Sequence, residues 1–235
     1  FQFPFINISF HDKLLISSCS IIIVGGTVII EIVFWILIAF MSGSVPWALV
    51  VSKLISHKDV RNIGDGNPGV ANAWKSGGWI PGMLSVGLEL GKSIVPIYFA
   101  IMFLGQPTGL ISHIGLALIL LAPIVGHGWS PFLKFKGGKS LAASWGSWIA
   151  VTNGMALPVG CFFLALTHGF QKNHSVTVTL CLIGFIAVFA LMGMELFLLL
   201  FSLGNISIVI YKHRGEYSEG LVLRNWIHKF TRVVS

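Results

Sequence analysis

Two short runs of glycine, amide and basic residues have the makings of anion sites. The first is RNIGDGNPGVANAWK, residues 61–75. Gly64, Gly66 and Gly69 permit positive φ and close backbone approach to a ligand. Consecutive backbone N–H groups in such a turn form an anion-binding nest. Asn67 and Asn72 add side-chain donors, and Arg61 and Lys75 flank the run with charge. The same residues equally suit a tight turn with capping asparagines. Asp65 sits in the middle of this cradle. A carboxylate there either fixes the turn by accepting backbone N–H bonds, the geometry we expect, or faces the ligand, repelling phosphate and favouring a hydroxyl.

The second run is GHGWSPFLKFKGGKSLAASWG, residues 126–146. Lys134, Lys136 and Lys139 surround Gly137-Gly138, with His127 upstream and small residues downstream that suit a helix start. A helix N-terminus beside Gly-Gly and lysine favours phosphate; the bland reading is a basic loop that only sets topology. The G-x-x-x-x-G-K-[ST] spacing of a nucleotide loop is missing, so nothing points to ATP. Glu89 and Lys92 lie three residues apart in an apolar run and share a helix face. They either pair with each other, or Lys92 faces a phosphate with Glu89 orienting it. Glu31 and Glu195 have no sequence-local partner. The eight histidines show no metal-ligand spacing, and no pattern calls for a cofactor or metal. His213, in YKHRGE, belongs either to a solvated basic terminus or to a site; His57, His168, His174 and His228 read as loop or tail residues.

The elements that carry these runs follow from composition. Of 235 residues, 55% are hydrophobic and 10% charged, against about 25% charged in a soluble domain. Apolar runs long enough to cross a bilayer fill most of the chain, without the alternation of a β-barrel. The expected fold is an all-α polytopic transmembrane bundle forming one domain. The net charge of +7 then fits basic cytoplasmic loops, anionic lipid or an anionic substrate rather than nucleic acid. Cys19, Cys161 and Cys181 are scattered in apolar stretches and read as packing residues.

Seven spans fit: 28–51, 79–104, 108–126, two short ones within 140–170 parted by TNG at 152–154, then 175–192 and 194–211. Residues 1–27 read as an N-terminal extension, 28–216 as the transmembrane domain and 217–235 as a basic cytoplasmic tail. With seven spans, the segments 52–78, 127–139, 171–174 and 212–235 share one side and hold 13 of the 15 Lys and Arg residues. By the positive-inside tendency that side is cytoplasmic, with the N-terminus outside.

Taken together, the motifs resemble the integral-membrane glycerol-3-phosphate acyltransferases that use acyl phosphate. GSVPWALVVSK (43–53), GDGNPGVAN (64–72), ELGKS (89–93), GHGWSPFLKFKGGKS (126–140) and YKHRGE (211–216) follow the family's motifs in order. The resemblance covers roughly 28–216. It implies seven transmembrane helices in the inner (plasma) membrane, a cytoplasmic active site, and transfer of an acyl group from acyl phosphate to glycerol 3-phosphate. The products are lysophosphatidic acid and inorganic phosphate, in the first step of phospholipid synthesis. Acyl phosphate is an activated mixed anhydride, so positioning and charge stabilisation do much of the catalysis.

On that reading Gly64, Gly66, Asn67, Gly69 and Asn72 cradle one phosphate. Arg61, Lys75, Lys92, Lys136 and Lys139 supply charge, His127 lines the site, and Gly137-Gly138 allow close approach. His213 orients or deprotonates the attacking hydroxyl, a role its ordinary pKa of about 6.5 suits. The bundle accepts the acyl tail among membrane lipid. The chain departs from the family pattern at Asp65 (serine in the family), Ala71 (threonine), Lys75 (arginine), Ser140 (glycine) and Glu216 (asparagine). Glu216 would serve as an orienter of His213, or mark a changed acyl acceptor or lost activity. An anion transporter, or a lapsed relative that binds acyl phosphate or lipid, would use the same basic loops.

Overall fold

The computed structural model describes residues 18–226. Lys13, His228, Lys229 and Arg232, with the rest of 1–17 and 227–235, lie outside the described residues, as does the side chain of Cys19. The described chain is helical: α1 (Ser18–Ser44), α2 (Trp47–Val51), α3 (Val70–Gly77), α4 (Trp79–Leu104), α5 (Leu110–Gly128), α6 (Leu141–Val151), α7 (Ala156–Phe170), α8 (His174–Leu191) and α9 (Leu196–His213). Five helical stretches, 27–56, 79–104, 110–133, 174–191 and 196–213, are long and apolar enough to cross a membrane. α6 and α7 have 11 and 15 residues, about 16 and 22 Å at 1.5 Å per residue, shorter than the roughly 30 Å hydrocarbon core. They part at Thr152–Gly154, where Asn153 and Gly154 take positive φ, so the TNG interruption is a true break.

α5 is the central helix. It packs on α1, α4, α6 and α9, and 56% of its apolar window is buried against 22% for the window that includes α1. α1 and α5 touch through glycine: a Cβ on Gly43 would strike the Pro123 backbone, and one on Gly126 would strike the Phe40 carbonyl. Small residues at such crossings let helices approach where lipid offers no hydrophobic drive. Trp148 of α6 anchors the other half of the bundle against Phe185, Phe189 and Phe201, ring centroids 5.3, 5.4 and 4.9 Å away. Buried hydroxyls tie helices together: Ser42 Oγ donates to Lys92 O at 2.7 Å, and Ser147 Oγ to Leu120 O at 3.0 Å. Of the cysteines, Cys181 is buried as expected, whereas Cys161 is exposed on α7.

The four polar segments meet at one end of the bundle. The Lys172 N–H donates to Val222 O and the Arg224 N–H to Phe170 O, at 2.8 and 3.0 Å. Arg224 Nε also donates to His168 O at 2.7 Å. The described part of the tail, 217–226, is therefore tied to the α7–α8 turn by hydrogen bonds while most of its side chains stay exposed.

Candidate active site

The first span is broken where the site begins. Proline lacks an N–H and disfavours helix at the residue before it, so α1 stops at Ser44 and α2 restarts after Pro46. The break leaves backbone groups inside the bundle that need partners. Lys92 Nζ donates to Val45 O at 2.9 Å, the Ala48 N–H to Glu89 Oε1 at 3.0 Å, and Ser130 Oγ to Ser44 O at 2.5 Å. Glu89 and Lys92 form a buried ion pair at 2.6 Å. His127 Nδ1 completes the group, 2.8 Å from Lys92 Nζ and 3.0 Å from Glu89 Oε2. An ammonium has three donors, and all three have partners here. Of the two readings of this pair, mutual pairing is the one seen, and Lys92 does not line the cavity described below.

The run 61–75 is half turn, half helix. Gly64 and Gly66 take φ of +59° and +73°, conformations that glycine adopts without a Cβ penalty. The chain then enters α3, so Asn72 and Lys75 stand on a helix, not on the loop the sequence suggests. Asp65 does what an Asx residue does. Its Oδ1 accepts the Asn67 N–H at 3.2 Å and Asn72 Nδ2 at 2.8 Å. Its Oδ2 reaches across to Lys139 Nζ at 2.5 Å. Lys139 also pairs with Glu216 after α9, and Ser175 Oγ donates to that carboxylate. One lysine thus joins the first loop, the second loop and the α9 terminus.

The ion pairs shift the groups that form them. Burial opposes ionisation of Asp65, but hydrogen bonds from Lys139, Asn72 and the Asn67 backbone hold its carboxyl down at about 2. Burial likewise opposes ionisation of Glu216, and Lys139 and Ser175 outweigh it, lowering its pKa. For Lys139, burial favours the neutral amine, and the two carboxylates overcome it and raise its pKa.

These residues form the wall of a cavity of about 610 Å³. Asp65, Asn67, Gly69, Asn72, Lys75, His127, Lys139, His174 and Glu216 line its polar part, and Val86, Leu90, Leu141, Trp145, Ile149 and Leu157 its apolar part. Leu141 to Ile149 along α6 spans about 12 Å, so the apolar part runs deep into the bundle.

The remaining expected residues lie beside it. Gly64 and Gly66 shape the turn behind the wall; a Cβ on Gly64 would meet the Asn72 side chain at 2.5 Å. Gly137 and Gly138 have a packing reason for lacking side chains. A Cβ on Gly137 would strike His127 O, and one on Gly138 would strike His127 Nε2. Arg61 turns away to Asp59, with Nε to Oδ1 at 2.9 Å and Nη2 to Oδ2 at 2.6 Å. That bond is the main reason the Asp59 carboxyl falls well below its usual range. Lys136 is exposed and off the wall, as is Lys134. His213 is buried, with Nδ1 donating to Val209 O at 2.8 Å. The lone pair of its neutral ring is then on Nε2, a buried atom with no partner among the described residues. Its orienter is the Val209 carbonyl, not the Glu216 side chain, which is spent on Lys139 and Ser175.

Sequence reasoning missed two contributors. His174, read as a loop residue, is the first residue of α8, lines the cavity and stands 6.3 Å from the His213 ring. Lys212 donates to Gly128 O at 2.6 Å and lies over the Trp129 ring, fastening α9 to α5. A histidine just after an N-capping asparagine was the available signal for the first.

The comparisons with known proteins give the family and the overall fold. Residues 33–221 match the family described as glycerol-3-phosphate acyltransferase. The glycerol-3-phosphate acyltransferase 1 of Thermotoga maritima is 34% identical over 195 residues, covering 78% of this chain and 94% of the relative. The glycerol-3-phosphate acyltransferase of Staphylococcus carnosus is 31% identical over 189 residues, covering 78% and 91%. The crystal structure of PlsY (YgiH), an integral membrane glycerol 3-phosphate acyltransferase, in its glycerol 3-phosphate form, superposes with a TM-score of 0.69 at 27% identity. That match covers 78% of this chain and 88% of the other. By the family match over residues 33–221 and these relatives, the chain belongs to the glycerol-3-phosphate acyltransferase family, as a multi-pass membrane protein.

Proposed function

We propose that this chain moves an acyl group from acyl phosphate to the hydroxyl of glycerol 3-phosphate, giving lysophosphatidic acid and inorganic phosphate. The observation that carries this reading is the two-part cavity: a polar mouth built from three segments, opening into an apolar bore among helices. A phosphate head and an acyl tail fit such a shape together. Asn67 Nδ2 and Lys75 hold the donor phosphate, while Asn72 Nδ2 and the Gly69 N–H fix the turn through Asp65 and the Asn67 carbonyl. The acyl tail lies along α6 past Trp145 and Ile149. Lys139 faces the charge that develops as phosphate leaves, and His213 Nε2 accepts the proton of the attacking hydroxyl. Arg61 and Lys136 add long-range attraction at the mouth rather than contact. Glu89, Lys92 and His127 hold the broken first span in place.

The polar end of the bundle is cytoplasmic on this reading, and the membrane is the inner (plasma) membrane. The clustering of Lys and Arg at that end supports the orientation. The α6–α7 hairpin begins and ends there whether it crosses fully or only dips in, so the sidedness of the site does not depend on five crossings or seven. We take it as crossing, for seven in all. The donor is tested by giving purified protein labelled glycerol 3-phosphate with either acyl phosphate or acyl-coenzyme A. Product should form with acyl phosphate alone; product from acyl-coenzyme A alone would overturn the donor assignment.

A further inference from the structure

Two anionic groups would meet in this cavity if both substrates carried phosphate, yet its wall is not positive. Three carboxylates and two lysines line it: Asp65, Glu89, Glu216, Lys75 and Lys139. Glu89 is matched by Lys92 behind the wall. Lys139 is met by two carboxylates at once. Asp65, Lys139 and Glu216 by themselves sum to −1, and Lys75, beside the turn at Gly64, brings this wall only to neutrality. Both acids stay ionised near neutrality, since each is held below its ordinary range. What remains on offer there is acceptor capacity: each oxygen of the two carboxylates already accepts a bond, and a carboxylate oxygen has a second lone pair; His213 Nε2, buried and without a partner among the described residues, lies behind this wall rather than on it. Acceptors of this kind suit hydroxyl donors and repel a phosphate monoester, which carries about −1.5 to −2 at pH 7.

We propose that Asp65 and Glu216 are specificity-determining residues that open the acceptor subsite to uncharged polyols, so that the enzyme also acylates glycerol itself. The proposal rests on the acyl-transfer reading above. In the step, a glycerol hydroxyl oxygen bonds to the acyl carbon, and the bond from that carbon to the phosphate oxygen breaks. Phosphate leaves with the electron pair, and the hydroxyl proton passes through His213 Nε2 to the departing phosphate. The products are a monoacylglycerol and inorganic phosphate. Asp65 and Glu216 accept hydrogen bonds from the hydroxyls that do not react, with Lys139 holding both carboxylates in position.

The test compares kcat/KM for glycerol 3-phosphate and for glycerol, with acyl phosphate as donor, in the purified full chain in detergent. In the wild type the ratio of the two should lie below about ten. In Asp65→Ser/Glu216→Asn it should rise by about tenfold or more as two like charges leave the subsite. The near-isosteric Asp65→Asn/Glu216→Gln pair should move the ratio the same way and serves if the first pair fails to fold. A wild type that acylates glycerol 3-phosphate but not glycerol, or a ratio unchanged in the folded variants, overturns the proposal and leaves the acyl-transfer reading intact. No acyl transfer to either acceptor by folded wild type overturns both.

Discussion

Replacing Lys92 by methionine separates a structural lysine from a substrate-binding one. The Lys92 ammonium is spent on Val45 O, Glu89 and His127. Methionine fills most of the volume but leaves the fully buried Glu89 carboxylate without its ammonium partner, with only the His127 ring beside it, next to an orphaned Val45 carbonyl. Removing one partner of a buried ion pair costs about 3–5 kcal/mol. For a chain of this size each kcal/mol moves the melting midpoint by about 2–4 °C, so Lys92→Met should melt about 6–20 °C below wild type. Intrinsic tryptophan fluorescence in a single detergent reads this directly. Adding Glu89→Gln should recover part of the loss, because the amide oxygen still accepts the Ala48 N–H and no charge is stranded. A Lys92→Met protein that melts within about 2 °C of wild type while losing turnover would refute this reasoning and return Lys92 to the substrate.

Other perturbations bear on other parts of the account. His213→Ala should lower turnover by about 10²-fold or more, as expected for a general base; a near-normal rate would remove His213 from the mechanism. Ile149→Trp should narrow the bore, shifting donor preference in kcat/KM toward shorter acyl chains, and an unchanged chain-length profile would place the acyl tail elsewhere. Met155→Cys, exposed at the α6–α7 turn, should react with an impermeant thiol reagent from outside the cell, and reaction only from inside would reduce α6–α7 to a re-entrant hairpin. Asp65 has its carboxyl lowered from 3.8 to about 2 on folding. It therefore stabilises the fold above about pH 4, and that contribution is lost as pH falls toward 2. Melting should show no inflection from this group between about pH 5 and 8, and Asp65→Asn should weaken the fall in stability at the acid end.

Much of the fold was legible because apolar runs and their interruptions have direct physical meaning. The TNG break at 152–154 and the ends of α4, α8 and α9 fall within about two residues of where the sequence places them. α3 was hidden because its eight residues follow a glycine-rich turn and lack a long apolar period. The break at Pro46 was visible as a proline in an apolar run, but not its consequence, since the partners of Val45 and Ala48 lie more than 40 residues away. Asp65 was half legible. Its turn bonds are local and follow from Asx chemistry; its ion pair with Lys139 joins residues 74 apart and needed the fold. Ser140 stands where the family has glycine and holds φ at +64°, so the glycine pattern there reflects backbone conformation as well as any ligand.

Acyl transfer coupled to phosphate release tests the central claim most directly. Purified, monodisperse protein is given acyl phosphate and labelled glycerol 3-phosphate, and lysophosphatidic acid and inorganic phosphate are counted in the same reaction. The account predicts equal amounts of both, formed together and dependent on the acceptor. Folded protein that releases no phosphate and forms no acylated product would contradict it.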